Sequence, residues 1–307
     1  MTTKPFTSPN LSAHTATPAT PAATLHEPPL TDARTDAQTQ ANVPQPDARR
    51  LAFADPEFLL RRETRGIRFQ LELLKPDLGQ QAHGIENTIV VFGSARFKSH
   101  DECQALLAAA QIVADTSGDN VALQHAQTLA RNAPYYEAAR AFAGLVARYS
   151  ESKSAADRLF ICTGGGPGIM QAANRGAHEA GAQSVGLAIA LPHEEAANPY
   201  VTPALSFTFH YFAARKMHFM MRAKALLAFP GGFGTLDELF EIITLVQTKK
   251  SAQVPIVLFG SAYWKRLVNW EVLVEEGVIS PGDLQLMHFV DTPQQAWDMV
   301  RDFYGLV

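Results

Sequence analysis

Short apolar runs recur along this chain, separated by stretches whose apolar residues fall at helical spacing. Thr88 to Phe92, Arg158 to Thr163, Ser184 to Leu191, Ala225 to Phe229 and Pro255 to Phe259 read as strands, with extended segments at Leu205 to Phe209 and Gln285 to Val290. Runs that are apolar at consecutive positions suit strands buried on both faces of a parallel sheet. Between them, helices are predicted at Ile169 to Ala180, stopped by Gly181, at Tyr211 to Lys224, Thr235 to Thr248, Ala262 to Glu276 and Gln294 to Tyr304. Asp55 to Leu74 reads as an amphipathic helix ended by Pro76, and Tyr135 to Tyr149 as an Ala-rich helix opened by Pro134. From Ser99 to Pro134 the sequence is helical in flavour but broken by Ser117-Gly118-Asp119-Asn120, and it reads as an insertion. Strand and helix alternate throughout. The expected fold is therefore α/β, a Rossmann-like doubly wound parallel sheet with helices on both faces.

The strand ends carry the informative polar chemistry. Ala225 to Phe229 runs into Pro230-Gly231-Gly232-Phe233-Gly234-Thr235, where glycines permit a close backbone approach. Thr235 followed by Glu238 matches a capping box, so the helix is predicted to open at Thr235. Unpaired N–H groups and the helix dipole make such a turn a site for a phosphate. The strand ending at Thr163 enters Gly164-Gly165-Gly166-Pro167-Gly168-Ile169-Met170, and the first strand ends in Gly93-Ser94-Ala95-Arg96. In an open parallel sheet these turns gather on the carboxyl edge, which makes a nucleotide-phosphate crevice the natural reading over unrelated tight turns.

Composition removes other classes. Residues 1 to 50 are rich in Pro, Ala, Thr and Gln and poor in aromatic and β-branched aliphatic residues. Such a segment cannot bury enough surface to offset its ordering entropy. It is expected to be a disordered tail, leaving 51–307 as a single nucleotide-binding catalytic domain. Neither a secretory apolar segment nor a membrane-length run is apparent, and the only cysteines, Cys103 and Cys162, form no framework. A soluble, cytoplasmic protein is expected. The ten histidines follow no metal-ligand spacing, so no metal and no cofactor is expected. A net charge of −4 and a pI near 6.2 argue for a small-molecule partner rather than nucleic acid, and no membrane partner is expected.

The missing third glycine of G-x-G-x-x-G makes the dinucleotide fingerprint incomplete and disfavours an NAD-linked oxidoreductase, and G-x-x-x-x-G-K-[ST] does not occur. What is present, Arg215-Lys216 with Pro230-Gly231-Gly232-x-Gly234-Thr235-x-x-Glu238 and the run Gly164 to Met170, resembles the Lonely Guy (LOG) family over roughly Ile89 to Tyr304. These are the cytokinin riboside 5′-monophosphate phosphoribohydrolases, and some carry an older lysine decarboxylase label that no pyridoxal-phosphate lysine context here supports. The resemblance implies a Rossmann-like fold, a homo-oligomer of two or more copies, and cleavage of a nucleoside 5′-monophosphate such as AMP into base and ribose 5-phosphate. It implies Arg215 and Glu238 as catalytic residues and Lys216 as their binding neighbour. Gly231, Gly232, Gly234 and Thr235 match the phosphate loop, with Gly93, Ser94, Gly164, Gly165, Gly166 and Gly168 as further substrate-binding candidates. Glu194 matches a sugar-side or base-side carboxylate, with Glu195 as the alternative register, and Thr244 a binding threonine. At about 100° per residue Thr244 falls roughly 120° around the helix from Glu238. The tail and the insertion depart from short plant-like members, which leaves the preferred base open.

The residues also support a reading of their own. Glu238 falls beside Ile242 and Leu245 on the apolar side of its helix, where a carboxylate needs a partner, either the helix cap or a substrate. Arg215 shares its helix with Phe212, Met217, Phe219 and Met220, and Arg222 and Lys224 read as surface charges. Cleavage of a ribosyl–base bond passes through an oxocarbenium-like state that a carboxylate can stabilise or attack with an activated water. The alternative is a non-catalytic nucleotide or pterin-cofactor carrier of the same fold.

Overall fold

The structure is a computed structural model and describes residues 48–190 and 197–306. All but the last residues of the expected tail, and both Glu194 and Glu195, lie outside the described residues. The elements run α1 (Pro56–Leu59), α2 (Arg65–Ala82), β1 (Thr88–Phe92), α3 (His100–Ser117), α4 (Val121–Glu151), β2 (Phe160–Thr163), α5 (Ile169–Glu179), β3 (Ser184–Ile189) and β4 (Ser206–Phe209). They continue with α6 (Phe212–Met221), β5 (Ala223–Ala228), α7 (Phe233–Gln247), β6 (Ile256–Phe259), α8 (Ser261–Leu267), α9 (Trp270–Glu275), β7 (Met287–Val290) and α10 (Pro293–Tyr304).

All seven strands pair in parallel in the order β4-β3-β2-β1-β5-β6-β7. Alternate side chains fill separate layers, as a period of two requires. Val90, Cys162, Leu187, Leu226 and Leu258 face one core with Phe219 of α6, Leu239 and Ile242 of α7 and Trp264 of α8. Ile89, Val91, Ile161, Leu227 and Val257 face the other with Phe142 of α4, Ala173 of α5 and Trp297 of α10. The fold expected from the pattern is the fold observed. Among the described residues no helix is long and apolar enough to cross a membrane.

The corrections concern helices. Pro76 does not end α2, which runs on to Ala82. Proline removes the N–H that would bond the carbonyl of Glu72, and that carbonyl instead accepts from His218 Nε2 of α6 at 3.2 Å. The interrupted stretch Ser99 to Pro134 is ordered helix: α3 opens on a Ser99–Glu102 capping box and closes on left-handed Gly118, and α4 starts after Asn120. Pro134 lies inside α4, not before it. Packing on both flanks offsets the lost bond, with Leu129 and Ala133 against Cys103 and with Tyr136 and Ala139 in the core beneath the sheet. The helix expected over Ala262 to Glu276 is two, broken at extended Val268, which lets Trp264 and Trp270 both bury. Arg222 is no surface charge: it pairs with Asp77 at 2.7 Å and donates to the carbonyl of Ile85 at 2.8 Å.

Candidate active site

The strand order reverses between β1 and β5, whose neighbours on either side belong to opposite windings of the chain. Loops diverge above such a point and leave a crevice at the carboxyl edge. The glycine turns meet there. Ser94 N donates to Pro230 O at 3.0 Å, joining the ends of β1 and β5, and Ile169 N donates to Ser94 O at 3.1 Å, drawing in the turn after β2.

The glycines do different work. Gly168 has φ +70°, and a Cβ there would run into the carbonyl of Ser94 and the backbone of Ala95. At Gly231 a Cβ would run into the side chain of Thr235, whereas Gly232 and Gly234 face open space. At Gly93 it would meet Ile169 at 2.7 Å, and at Gly164 and Gly166 it would press on Met170 at 2.9 Å. The turn containing Gly165 is held from below by buried side chains that local sequence reading missed. Asn198 Nδ2 donates to the carbonyls of Gly165 and Gly166, each at 3.0 Å, and to Asn174 Oδ1. Thr163 Oγ1 donates to Asn174 Oδ1 at 2.7 Å and accepts from Gly165 N at 2.9 Å. Asn174 had a signal, a polar residue among Ala172, Ala173 and Ala177 on the buried face of α5. Asn198 had none, because its contacts are made far along the chain.

The expected capping box between Thr235 and Glu238 is absent. Helix α7 begins at Phe233 with Gly232 as its cap residue, so Thr235 is already its third residue and Glu238 is free of any capping role. The glycines reach helical geometry earlier than the threonine signal indicates, and both Thr235 and Glu238 are buried.

Glu238 Oε1 lies 3.7 Å from Arg215 Nη2 of α6, and neither side chain is more than 13% exposed. Burial pushes the Glu238 carboxyl up to about 7, against the pull of Arg215 and Lys216. Burial also lowers the pKa of Arg215, opposed by Glu238. Desolvation outweighs attraction at this separation, which is too long for a direct hydrogen bond. Among the described residues Arg215 Nε has no hydrogen-bond partner, while its guanidinium lies 5.2 Å from the Phe219 ring centroid. Lys216 is held differently, by Asp237 at 2.8 Å and Glu241 at 2.7 Å. The pair Arg215–Glu238 is thus a buried cation beside a carboxyl that burial holds well above the usual carboxylate range, with Glu238 one helical turn past the Gly231–Thr235 loop. Thr244 is placed apart: it is exposed and its hydroxyl donates to Phe240 O at 2.7 Å.

The helix that carries Arg215 is fixed from outside the motif. Glu72 of α2 accepts from His210 N at 2.9 Å and Tyr211 N at 3.0 Å, at the start of α6. Nothing in the local pattern of α2 marked Glu72, whose partners lie far along the chain.

Comparison with known proteins agrees with the motifs. A family model described as "Possible lysine decarboxylase" matches residues 170–300, which include Arg215, Lys216, Glu238 and the glycine loop after β5. A probable cytokinin riboside 5′-monophosphate phosphoribohydrolase of Oryza sativa subsp. japonica is 32% identical over 90 residues, 29% of this chain and 43% of its own. A cytokinin riboside 5′-monophosphate phosphoribohydrolase of Arabidopsis thaliana is 30% identical over 143 residues, 46% of this chain and 65% of its own. The chain thus spans about half the length of the curated relatives it matches. Among solved structures, a molybdenum cofactor carrier protein from Chlamydomonas reinhardtii aligns at 17% identity and a TM-score of 0.42, over 72% of this chain and 99% of its own.

Proposed function

We propose that this chain, a relative of the Lonely Guy family, hydrolyses the N-glycosidic bond of a nucleoside 5′-monophosphate, AMP or an N6-substituted AMP, to free base and ribose 5-phosphate. The observation that carries this reading is the buried Arg215–Glu238 pair, with the Glu238 carboxyl pushed up to about 7, beside a glycine loop at a helix N-terminus. In its ionised form Glu238 takes a proton from water as the water oxygen bonds to C1′. The C1′–N bond breaks, and the base leaves with its electron pair and takes a proton from solvent, to which Glu238 returns the one it gained. The same carboxylate stabilises positive charge on the ribosyl carbon as the bond lengthens. The loop Gly231–Thr235, with unpaired amides at the start of α7, receives the 5′-phosphate. Arg215 offers a fork of donors to the phosphate or the departing base. The proposal includes self-association of at least two copies.

The test is release of free base from purified full-length protein given AMP and, separately, adenosine. AMP is expected to be cleaved and adenosine not, because much of recognition lies in the phosphate. Equal kcat/KM for the two would overturn the phosphate assignment. Tight AMP binding without any base release would move the protein to the carrier class.

A further inference from the structure

Beside the glycine loop, and lined by neither Arg215 nor Glu238, a cleft of about 690 Å³ opens between α4 and α8. Its floor is Ser94 and Gly231 of the two joined strand ends. Each wall brings one tyrosine and one arginine: Tyr135 and Arg131 from α4, Tyr263 and Arg266 from α8. Among the described residues no acidic one lines it, in a chain whose net charge is −4. Arg131 and Arg266 make no ion pair or hydrogen bond among the described residues, unlike Arg140, Arg175, Arg222 and Arg301, each of which holds a carboxylate. The tyrosines are fixed. Tyr135 stacks on Phe97 at 5.9 Å and abuts Gly260, where a Cβ would come within 2.8 Å of its ring. Tyr263 donates its hydroxyl to the carbonyl of Gly231 at 2.6 Å.

Two exposed arginines that hold no carboxylate among the described residues, lining one concave space with two tyrosines, suit a phosphorylated ligand with a flat ring. We propose that the cleft is a second nucleoside phosphate site, adjoining the substrate site at Ser94 and Gly231, with its phosphate held by Arg131 and Arg266 and its ring against the tyrosines. Through Tyr263 its occupant touches the carbonyl of Gly231, so it is placed to shift the loop that receives the substrate phosphate. The word "second" rests on the proposed function, but the cleft itself does not.

The experiment uses the full chain carrying Arg215→Ala, which weakens the proposed substrate site while leaving its phosphate loop, and titrates it with ADP by calorimetry. ADP is expected still to bind, and Arg131→Ala/Arg266→Ala added to that chain is expected to weaken it by at least about 10-fold, as loss of charge-assisted bonds implies. Should Arg215→Ala fail to fold, Glu238→Gln serves as the background. Binding untouched by Arg131→Ala/Arg266→Ala, whether or not it survives Arg215→Ala, would overturn the proposal, leaving only the catalytic site. Inorganic phosphate is the second probe: affinity equal to that of ADP would overturn the nucleoside part by giving the tyrosines no role. These readouts are binding alone, so a protein that cleaves no AMP still decides them.

Discussion

Glu238 is the residue on which most turns, and its titration gives two separable outcomes. With the carboxyl at about 7, kcat/KM for AMP is expected to rise with pH through neutrality and level above it, and Glu238→Gln is expected to lose about 10² or more in kcat. A variant that turns over like the parent would remove Glu238 from the chemistry. Stability moves the other way. The folded pKa lies above that of an unfolded glutamate, so the stabilising contribution is complete below about 4.5 and is lost as pH rises through about 7. Between pH 5 and 8 the parent is expected to lose on the order of 2–3 kcal/mol that Glu238→Gln does not. Thermal melts of both at the two pH values measure it, and parallel curves would show that the carboxyl is not held up by burial. The glycines make a second contrast. Gly168→Ala, at φ +70° against Ser94, is expected to cost about 2 kcal/mol or more, while Gly232→Ala, with φ −94° and open space, leaves melting unchanged and raises KM for AMP if the loop cradles phosphate.

Helix α6 carries Arg215 and Lys216 but begins without a side-chain cap of its own. Glu72 supplies one from α2, and the carbonyl freed by Pro76 adds the bond to His218. A carboxylate at a helix N-terminus contributes about 1 kcal/mol, and its partly buried geometry about 2. Glu72→Ala is therefore expected to lower stability by about 1–2 kcal/mol and to reduce kcat/KM as Arg215 loses its register. Glu72→Gln, which keeps an acceptor, is expected to recover part of both. If Glu72→Ala alters neither the melt nor the kinetics, α6 is held by its apolar face alone.

At the scale of the molecule, α2 leaves Ile67, Leu71, Leu74 and Leu78 about half exposed, at alternating spacings of four and three residues. That spacing suits a helix–helix seam, and the described residues leave it in water. A second copy pairing through this stripe is the expected cover. Sedimentation should show a dimer or larger species for the parent and a smaller one for Leu71→Glu/Leu74→Glu. A monomeric parent would remove self-association from the proposal.

The alternation of apolar runs with helical spacing determined the sheet, its parallel sense and the loops that meet on its carboxyl edge, because strand period and turn chemistry are local properties. The same holds for Gly231, which makes room for the Thr235 side chain one turn on, whereas Gly168 answers Ser94 and Ala95 far along the chain. Where α2 ends and α4 begins was not local: Pro76 and Pro134 break a helix in isolation, and only packing against α6, α3 and the sheet offsets the lost bonds. The opening residue of α7 was likewise misjudged from Thr235, since glycine can take the cap position without any side-chain signal. Above all, pattern and spacing placed Arg215 and Glu238 on separate helices, and only the motif resemblance implied that they act together. Burial of both beneath the reversal of strand order brought them to 3.7 Å and raised the carboxyl to about 7, because desolvation depends on everything packed around a group and not on its neighbours in the chain.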